Sequence, residues 1–300
     1  MKILLFGGNG QVGTELRRSL APLGEVVVAT RTGELGGGEA CEAADFDAPE
    51  NLGGLIARIA PDVVVNAAAY TAVDKAEDDA PAAFRANAEA PRAIAAACAA
   101  SGALLVHYST DYVFDGGATE PYLENAATAP LGVYGASKLA GERAIAESGA
   151  RHFIFRTAWV YAAHGKNFLL TMLRLARERD ELRVVADQIG APTSAWLIAY
   201  ATAAALHAPR ASGLWHLTAS GQTSWHGFAD AIVREAHARG LIARSPKVEP
   251  IATADYPTRA ARPAYSVLDN SAFQRDFGIE LPNWHEGLVQ VLDEMAAGVI

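Results

Sequence analysis

The sequence is poor in cysteine and lacks both a concentrated basic region and a long apolar run. Only Cys41 and Cys98 occur among the 300 residues, with no C-x-x-C pair, which argues against a disulfide scaffold and a structural zinc site. The net charge of −9 comes without a basic block, so no nucleic-acid partner and no membrane partner are expected. The apolar segment 196–206 is too short to span a bilayer, and the N-terminal run is too short for a signal peptide. We expect a cytoplasmic protein.

Strand-like apolar runs alternate with alanine-rich segments of helical spacing, such as residues 81–100. This alternation is typical of a parallel sheet with helices on both faces, and it predicts an α/β fold with a doubly wound Rossmann-type sheet. The predicted strands are residues 3–6, 26–29, 63–65, 104–108 and 153–155.

The chain is long enough for two unequal domains. We expect residues 1–157 to form the dinucleotide-binding domain and residues 158–300 to supply most of a smaller C-terminal substrate domain. Residues 188–219 contain a further helical segment and the strand-like run 214–217, so this stretch is predicted to return to the first domain.

A glycine-rich turn, G-x-x-G-x-x-G, follows the first predicted strand and opens the first helix. At such a join, backbone N–H groups and the helix N-terminus can receive a pyrophosphate. The spacing differs from the commoner G-x-G-x-x-G, and a tight strand-to-helix turn without a ligand uses the same glycines. The cofactor contacts predicted here are Gly7, Asn9, Gly10, Gln11, Val12 and Gly13.

The second strand ends with Thr30 and Arg31, where the adenine-side ribose of a dinucleotide would lie. An acidic residue would bind the 2′-hydroxyl of NADH, whereas an arginine suits the 2′-phosphate of NADPH. NADPH is therefore favoured and NADH remains possible, since Arg31 could equally be a surface charge. Asp45 and Phe46 are predicted to flank the adenine.

Two further strand ends carry candidate binding residues. The segment Ala67, Ala68, Ala69, Tyr70 and Thr71 has small side chains that allow close approach of a cofactor to the backbone. Tyr108, Ser109, Thr110 and Asp111 end the strand at 104–108, at the edge of a parallel sheet where ligands bind. One hydroxyl there could hold a substrate carbonyl, although a turn or a helix cap uses the same residues.

Tyr134 and Lys138 are spaced to lie on one face of a helix. An ammonium group beside a phenol favours the phenolate, which makes the phenol a usable proton donor near neutral pH. An isolated pair of this spacing is more often an exposed helix start with a solvated lysine. The glycine turn and the hydroxyls at the end of strand 104–108 favour the catalytic interpretation.

Taken together, these motifs resemble the extended short-chain dehydrogenase/reductases, and within them the family of dTDP-4-dehydrorhamnose reductases. The narrower resemblance extends through nearly the whole chain in family order. It rests on residues 67–77, 107–116, 155–161 and 187–193, and on Arg262-Pro263.

The resemblance implies an enzyme that reduces the C4 ketone of dTDP-4-dehydro-6-deoxy-L-mannose (dTDP-4-dehydro-β-L-rhamnose) to dTDP-L-rhamnose, the last step of dTDP-rhamnose synthesis. Hydride would come from NAD(P)H and the proton from Tyr134. Lys138 would hold the nicotinamide ribose and keep the tyrosine acidic, and Thr110 would bond the carbonyl oxygen. The substrate contacts implied by the resemblance are Thr110, Asp111, Trp159, Asn167, Gln188 and Arg262.

Some members of this family are dimers bridged by Mg²⁺ through acidic side chains. Glu15 matches one such position, but Ser194-Ala195-Trp196 follows Thr193 and supplies no carboxylate for a hard cation. Mg²⁺ is therefore doubtful, and we expect a monomer or a weak homodimer.

Two other functions are compatible with parts of the pattern. A related nucleotide-sugar epimerase or dehydratase shares the fold, but Asp111 is followed by Tyr112 rather than by the second acid typical of dehydratases. A non-catalytic NADP-binding regulatory subunit, like that of methionine adenosyltransferase, could dispense with Thr110, Tyr134 and Lys138, yet all three are present.

Overall fold

A computed structural model describes residues 1–208 and 210–298 of the chain. Its strands are β1 (Lys2–Phe6), β2 (Glu25–Thr30), β3 (Glu42–Ala43), β4 (Val63–Asn66), β5 (Leu104–Thr110), β6 (His152–Thr157), β7 (Val160–Tyr161), β8 (Glu181–Val185), β9 (Ile189–Gly190), β10 (Thr193–Ser194), β11 (Gly213–His216), β12 (Thr223–Ser224) and β13 (Lys247–Ile251). Its α-helices are α1 (Gln11–Leu20), α2 (Leu52–Ile59), α3 (Val73–Ala76), α4 (Ala80–Phe84), α5 (Ala90–Ser101), α6 (Val133–Ala146), α7 (Phe168–Glu178), α8 (Ala195–Ala205), α9 (Trp225–Ala238), α10 (Ser271–Phe277) and α11 (Trp284–Ala296).

Seven strands form one parallel sheet in the order β11-β6-β5-β4-β1-β2-β3. The direction of winding reverses between β1 and β4, and a reversal of this kind opens a crevice beyond the carboxyl ends of the two strands. The predicted fold class, a doubly wound Rossmann-type sheet, is confirmed.

Both faces of the sheet are buried because residues along each strand alternate in direction. In β1, Ile3 and Leu5 pack in the cluster that includes α1 and α8, while Leu4 and Phe6 pack in the cluster that includes α2 and α5. This two-sided burial explains why the central strands are continuous apolar runs.

All five predicted strands are present, and most extend further than their apolar runs. The added residues include Asn66, Thr110 and Thr157, polar residues at the carboxyl ends of β4, β5 and β6. The predicted helix at 81–100 spans α4 and α5 but contains a π-helical turn, Arg85–Glu89. A π turn adds a residue to the helix and is frequent at functional sites.

A second layer packs against the carboxyl edge of the sheet. It contains the parallel pair β8 and β13 and the helices α7, α9 and α11, joined by a core in which Leu173, Phe228 and Leu288 are buried. Within the predicted returning stretch, β11 pairs with β6 in the main sheet and α8 packs with α1, whereas β9 pairs with β12 and β10 with β7. None of the helices within 1–208 and 210–298 has the length and apolarity needed to cross a bilayer.

A buried ion pair joins α6 to β6. Arg156 donates to the two carboxylate oxygens of Glu142 at 2.9 and 2.7 Å, and both side chains are about 5% exposed. The guanidinium carbon also lies 5.1 Å from the centre of the Phe114 ring. Because α6 carries Tyr134 and Lys138, this pair fixes the helix on which the predicted catalytic residues lie.

We predict that Glu142→Gln lowers the free energy of unfolding by about 3–5 kcal/mol, because it leaves the Arg156 charge buried without its counterion. Chemical denaturation of the full chain measures this change. The control is Glu178→Gln, which breaks the exposed Arg174–Glu178 pair and is expected to change stability by less than about 0.5 kcal/mol. Equal effects of the two substitutions would contradict the structural role of the buried pair.

Candidate active site

A cavity of about 710 Å³ lies beyond the carboxyl ends of the central strands. It brings together most of the predicted site residues from segments that are distant in sequence. Its lining includes Gly7, Asn9, Gly10, Gln11, Val12, Thr30, Arg31, Phe46, Ala67, Ala68, Ala69, Tyr70, Thr71, Tyr108, Thr110, Asp111, Tyr134, Lys138 and Trp159. Five predicted residues do not line it: Gly13, Asp45, Asn167, Gln188 and Arg262.

The glycine turn lies between β1 and α1, and its glycines have different structural roles. Gly7 has a φ of +76°, and a Cβ there would lie 2.7 Å from the backbone nitrogen of Ala68. A Cβ on Gly13 would lie 2.1 Å from the carbonyl oxygen of Gly7, so Gly13 lets α1 pack on the turn rather than facing the cavity. Among the residues that the structure describes, no side chain caps the start of α1, where backbone N–H groups can bind an anion.

At the end of β2, the hydroxyl of Thr30 is occupied within its own loop. It donates to the carbonyl oxygen of Glu34 at 2.9 Å and accepts from the Glu34 N–H at 3.1 Å. Arg31 is exposed and forms ion pairs with Asp45 at 3.6 Å and Asp47 at 3.4 Å. Both residues line the cavity, but only Arg31 has an exposed side chain.

Two asparagines hold the segment after β4. The Asn66 side-chain oxygen accepts from the Ala68 N–H at 3.1 Å. Asn87 accepts from the Tyr70 N–H at 2.8 Å and donates to the Tyr70 carbonyl at 3.0 Å. Asn87 belongs to the π turn, and sequence reasoning missed its role. A buried amide inside an alanine-rich helix was the available signal.

Lys138 lines the cavity but is almost fully buried, at 2% exposed. Its Nζ donates to the carbonyl oxygen of Tyr108 at 2.6 Å and lies 3.3 Å from Nε2 of His107. Burial lowers the pKa of Lys138 to about 8, against the opposing effect of the Glu142 carboxylate. The lysine nitrogen is therefore bound to the backbone of β5, and not only placed beside Tyr134 one turn earlier on α6.

Burial raises the pKa of Tyr134 to about 12; the Thr110 hydroxyl acts in the opposite direction, and the charge of Asp111 adds to the rise. The expected acidifying effect of Lys138 on the phenol stays a prediction; the Lys138 nitrogen donates to the Tyr108 carbonyl. A phenol that stays protonated at neutral pH remains able to donate a proton.

Several buried polar atoms at the cavity wall have no hydrogen-bond partner among the described residues. Polar groups buried in this way need partners, and a polar ligand in the cavity can supply them. They are the hydroxyls of Tyr70, Ser109 and Thr157 and the Oδ2 atom of Asp111.

Asp111 combines burial with a direct connection to Thr110. The Thr110 hydroxyl donates to Oδ1 of Asp111 at 3.0 Å and accepts from the Tyr112 N–H at 3.2 Å. Burial raises the pKa of Asp111 to about 6, while the nearby hydroxyls of Ser266 and Thr110 lower it. Asp111 is therefore ionised at neutral pH, and the burial of its charge lowers the free energy of unfolding.

An aromatic wall closes the cavity on the side of the second layer. Trp159 and Trp225 stack in parallel, with ring centres 3.5 Å apart and planes 5° from parallel. Trp159 has a φ of +48°, and Gly190 leaves space for its ring, because a Cβ on Gly190 would lie 2.5 Å from it. Trp225 and Lys166, which also line the cavity, were missed by sequence reasoning. Nothing in their local sequence pattern distinguishes them.

Asn167 and Gln188 use their amides for protein contacts outside the cavity lining. Asn167 caps α7 by accepting from the Leu170 N–H at 3.0 Å, and its nitrogen donates to Gln11 at 2.7 Å. Gln188 donates to the Thr253 hydroxyl at 3.0 Å. Their predicted substrate contacts stay predictions.

Arg262 lies beside the cavity rather than in its lining. One terminal nitrogen donates to Asp74 at 2.7 Å, and the guanidinium carbon lies 5.9 Å from the centre of the Tyr112 ring. The other terminal nitrogen is buried without a partner among the described residues. The predicted substrate role of Arg262 likewise stays a prediction.

Glu15, the position that matches magnesium-bridged relatives, is almost fully buried. Its carboxylate lies 2.8 Å from Nε2 of His164 and 3.8 Å from Arg18. Over the part of the chain that the structure describes, no group of three or more acidic, histidine or cysteine side chains is placed to hold a metal ion.

Comparison with known proteins identifies the family. The profile described as "RmlD substrate binding domain" matches residues 1–297. A dTDP-4-dehydrorhamnose reductase of Burkholderia thailandensis is 53% identical over 296 residues, with 95% of each chain covered. The chain belongs to the family of dTDP-4-dehydrorhamnose reductases.

Solved structures of this family have the same architecture. A dTDP-4-dehydrorhamnose reductase from Clostridium acetobutylicum superimposes with a TM-score of 0.90 at 36% identity, covering 98% of this chain and 99% of the other. One from Bacillus anthracis, solved in complex with NADP, gives a TM-score of 0.89 at 34% identity over the same shares. The predicted family membership is confirmed.

We predict that Asp111→Asn stabilises the fold at pH 7.5. The folded pKa of about 6 lies above the ordinary value of 3.8, so deprotonation is harder in the folded protein, and this carboxylate lowers stability as pH rises through that window. Thermal unfolding should therefore show a gain on the order of 1–3 kcal/mol at pH 7.5 that vanishes near pH 4.

A matched control with the opposite sign is available nearby. Hydrogen bonds from the Gly117 N–H and the Tyr122 hydroxyl hold the pKa of exposed Asp115 below its usual range. Asp115→Asn is therefore expected to destabilise at pH 7.5, and this loss should shrink as pH falls. A gain for Asp115→Asn, or a loss for Asp111→Asn, would contradict these assignments.

Proposed function

We propose that this protein reduces the C4 ketone of dTDP-4-dehydro-6-deoxy-L-mannose (dTDP-4-dehydro-β-L-rhamnose) to dTDP-L-rhamnose, with NADPH as the reductant. One observation carries the proposal: Thr110, Tyr134 and Lys138 line the same cavity as the glycine turn. They do so in a chain that is 53% identical to a dTDP-4-dehydrorhamnose reductase. The glycine turn that would bind the cofactor and the tyrosine that would donate the proton therefore line the same cavity.

The cavity fits a dinucleotide. The turn from Gly7 to Gly13 would hold the diphosphate, Phe46 would flank the adenine, and Arg31 would contact a 2′-phosphate. The small side chains at Ala67–Ala69 leave the backbone open to close approach. NADPH, when bound, supplies hydride to the ketone carbon. The relative from Bacillus anthracis solved with NADP supports this choice, and NADH remains a possible second cofactor.

Side chains at the end of β5 and the start of α6 would donate a proton and a hydrogen bond to the C4 oxygen of the substrate. Tyr134 donates its phenolic proton to the C4 oxygen as negative charge develops there. Thr110, by turning its hydroxyl from Asp111, donates a hydrogen bond to the same oxygen. Stabilising charge that appears only in the transition state is what accelerates the reaction. Lys138 would donate a hydrogen bond to the nicotinamide ribose from the buried part of the cavity wall.

The sugar nucleotide would lie between the sheet edge and the second layer. Asp111 and the Trp159 ring line this side of the cavity, and Lys166 is a cation at the same wall. We propose the same substrate role for Asn167, Gln188 and Arg262, which requires Arg262 to present its unpartnered nitrogen to the ligand.

The domain division proposed here follows the packing described above. Residues 1–157 with 188–219 form the cofactor domain, supported by the pairing of β11 with β6, and the rest of 158–300 forms the substrate domain. No observation favours the epimerase, dehydratase or regulatory-subunit alternatives, since a single carboxylate follows Thr110 and the proton-donor set is complete. A monomer or weak homodimer stays a prediction.

We predict that Tyr134→Phe lowers kcat for reduction of the keto sugar by about 10²–10⁴-fold, because the proton donor is removed while the ring remains. NADPH should still bind, as followed by fluorescence titration. Tyr200→Phe, at a half-exposed position on α8, is the matched control and should leave kcat unchanged. Retained turnover in Tyr134→Phe would exclude Tyr134 as the donor, and no turnover in the unmodified protein would exclude the reductase.

We predict that Arg31→Ala raises KM for NADPH by about 10–100-fold, since it removes a charged contact to the 2′-phosphate. KM for NADH, which lacks that phosphate, should change little. Arg174→Ala removes an arginine of similar exposure far from the cavity and serves as the control. If Arg31→Ala changed KM for NADPH and KM for NADH equally, the 2′-phosphate would have to be bound by another group.

A further inference from the structure

The start of α6, the helix that carries Tyr134, is capped by a residue that is distant in sequence. The N-cap position is Gly132, which has no side chain to accept from the N–H groups of the first turn. The carboxylate of Glu77 supplies an acceptor instead, because its Oε1 accepts from the Val133 N–H at 2.8 Å. Tyr134, the proposed proton donor, is the next residue of the helix.

Gly132 and Glu77 are complementary in shape. A Cβ on Gly132 would lie 2.4 Å from Oε1 of Glu77. Apart from the chain neighbours of the glycine, the atoms of Glu77 are the only ones among the described residues within 4 Å of that Cβ. A side chain at the N-cap would therefore displace the carboxylate, and loss of the carboxylate would leave room for a side chain. The helix start uses an external acceptor in place of a local one.

Glu77 is held in place by the short helix α3 that precedes it. Ala76 of this helix is fully buried, and Asp74 accepts from Arg262 at 2.7 Å. Val73, on the same helix, lines the cavity. The half-buried carboxylate of Glu77 therefore belongs to an anchored segment that continues from the end of β4 along the cavity wall.

Other contacts hold α6 further along its length. Asn87 donates to the Ser137 hydroxyl at 3.0 Å, and that hydroxyl donates to the Tyr134 carbonyl at 2.8 Å. The buried ion pair of Arg156 holds the helix more than a turn later. Both contacts act after Tyr134 in the chain, whereas the contact of Glu77 acts immediately before it.

We propose that Glu77 is a positioning residue for Tyr134, which by capping α6 from outside holds the phenol where it can reach the ketone oxygen. This inference rests on the proposed function, because it concerns the proton donor of that reaction. A helix start without acceptors for its first N–H groups is less stable, and a group displaced by about 1 Å can cost about 100-fold in rate. Glu77 itself lies outside the cavity lining, so it acts through Tyr134 and not on the ligands.

Steady-state kinetics of the full chain give the first test. Glu77→Ala should lower kcat by about 10–100-fold and leave KM for NADPH within about threefold, because the predicted cofactor contacts are elsewhere. Glu77→Gln keeps an oxygen acceptor, so its kcat should stay within about fivefold of the unmodified value. Asp78→Ala removes the adjacent carboxylate, which pairs with exposed Arg259, and is the control that should leave kcat unchanged. An unchanged kcat in Glu77→Ala, or an equal loss in Glu77→Gln, would overturn the proposal.

The fit between Gly132 and Glu77 provides a rescue variant. In the double variant Glu77→Ala, Gly132→Ser, the space left by the carboxylate is free, and serine is a favoured N-cap residue. This local cap should restore most of the kcat lost in Glu77→Ala, and the double variant remains measurable if Glu77→Ala alone does not fold. A folded double variant with no recovery of kcat would overturn the proposal.

A double-mutant cycle tests whether Glu77 acts through Tyr134. In the Tyr134→Phe background there is no phenolic proton to position, so Glu77→Ala should change the residual kcat by less than about twofold. A further loss as large as that in the unmodified background would show a general distortion of the site and would overturn the proposal.

The position of Tyr134 can also be followed without turnover. Its ring stands edge-on to the ring of Tyr112, with centres 5.8 Å apart, so its signals depend on where the ring lies. In protein with ¹³C-labelled tyrosine, nine residues contribute and Tyr134→Phe assigns the relevant signal. Glu77→Ala should shift this signal and the double variant should return it, while the signal of half-exposed Tyr200 stays in place.

An unmoved Tyr134 signal in Glu77→Ala would overturn the proposal. Absence of reduction by the unmodified protein would instead contradict the proposed function, and the tyrosine spectra would still decide whether Glu77 positions Tyr134.

Discussion

The candidate site depends on the close approach of the turns that follow β1 and β4. The sheet reverses its winding between these strands, and the backbone of Gly7 lies so near Ala68 that no side chain fits there. This contact holds the start of α1 and the alanine segment at fixed positions on either side of one crevice. The carboxyl end of β5 is then set by its ladder with β4, so the glycine turn and Thr110, the proposed partner of the ketone oxygen, are placed by the same sheet.

Much of this frame could be predicted because it follows from local patterning. The buried parallel strands are apolar runs, and the glycine turn and the 134/138 spacing each carry a local geometric meaning. The predicted strands missed only their polar ends, such as Asn66 and Thr157. These residues continue the ladder through hydrogen bonds to neighbouring strands, and apolar patterning cannot register that extension.

Features that depend on tertiary contacts could not be predicted. Asn87 holds the backbone of Tyr70 only because a π turn brings the amide there, and Trp225 stacks on Trp159 from the second layer. Helical spacing places Lys138 and Tyr134 on one face of α6, but it does not show that burial dominates the pKa of Tyr134 or that the lysine nitrogen donates to the Tyr108 carbonyl.

The end of β2 has a consequence for how cofactor preference can change over evolution. The Thr30 hydroxyl is closed into its own loop, and Arg31 reaches solvent among acidic neighbours without contributing to the core. In the proposed binding mode, the adenine-side ribose is therefore recognised by an exposed arginine that is not part of the hydrophobic core. If this binding mode holds for the family, a substitution at position 31 can change the preference for NADPH or NADH while the buried residues Thr110 and Lys138 stay unchanged.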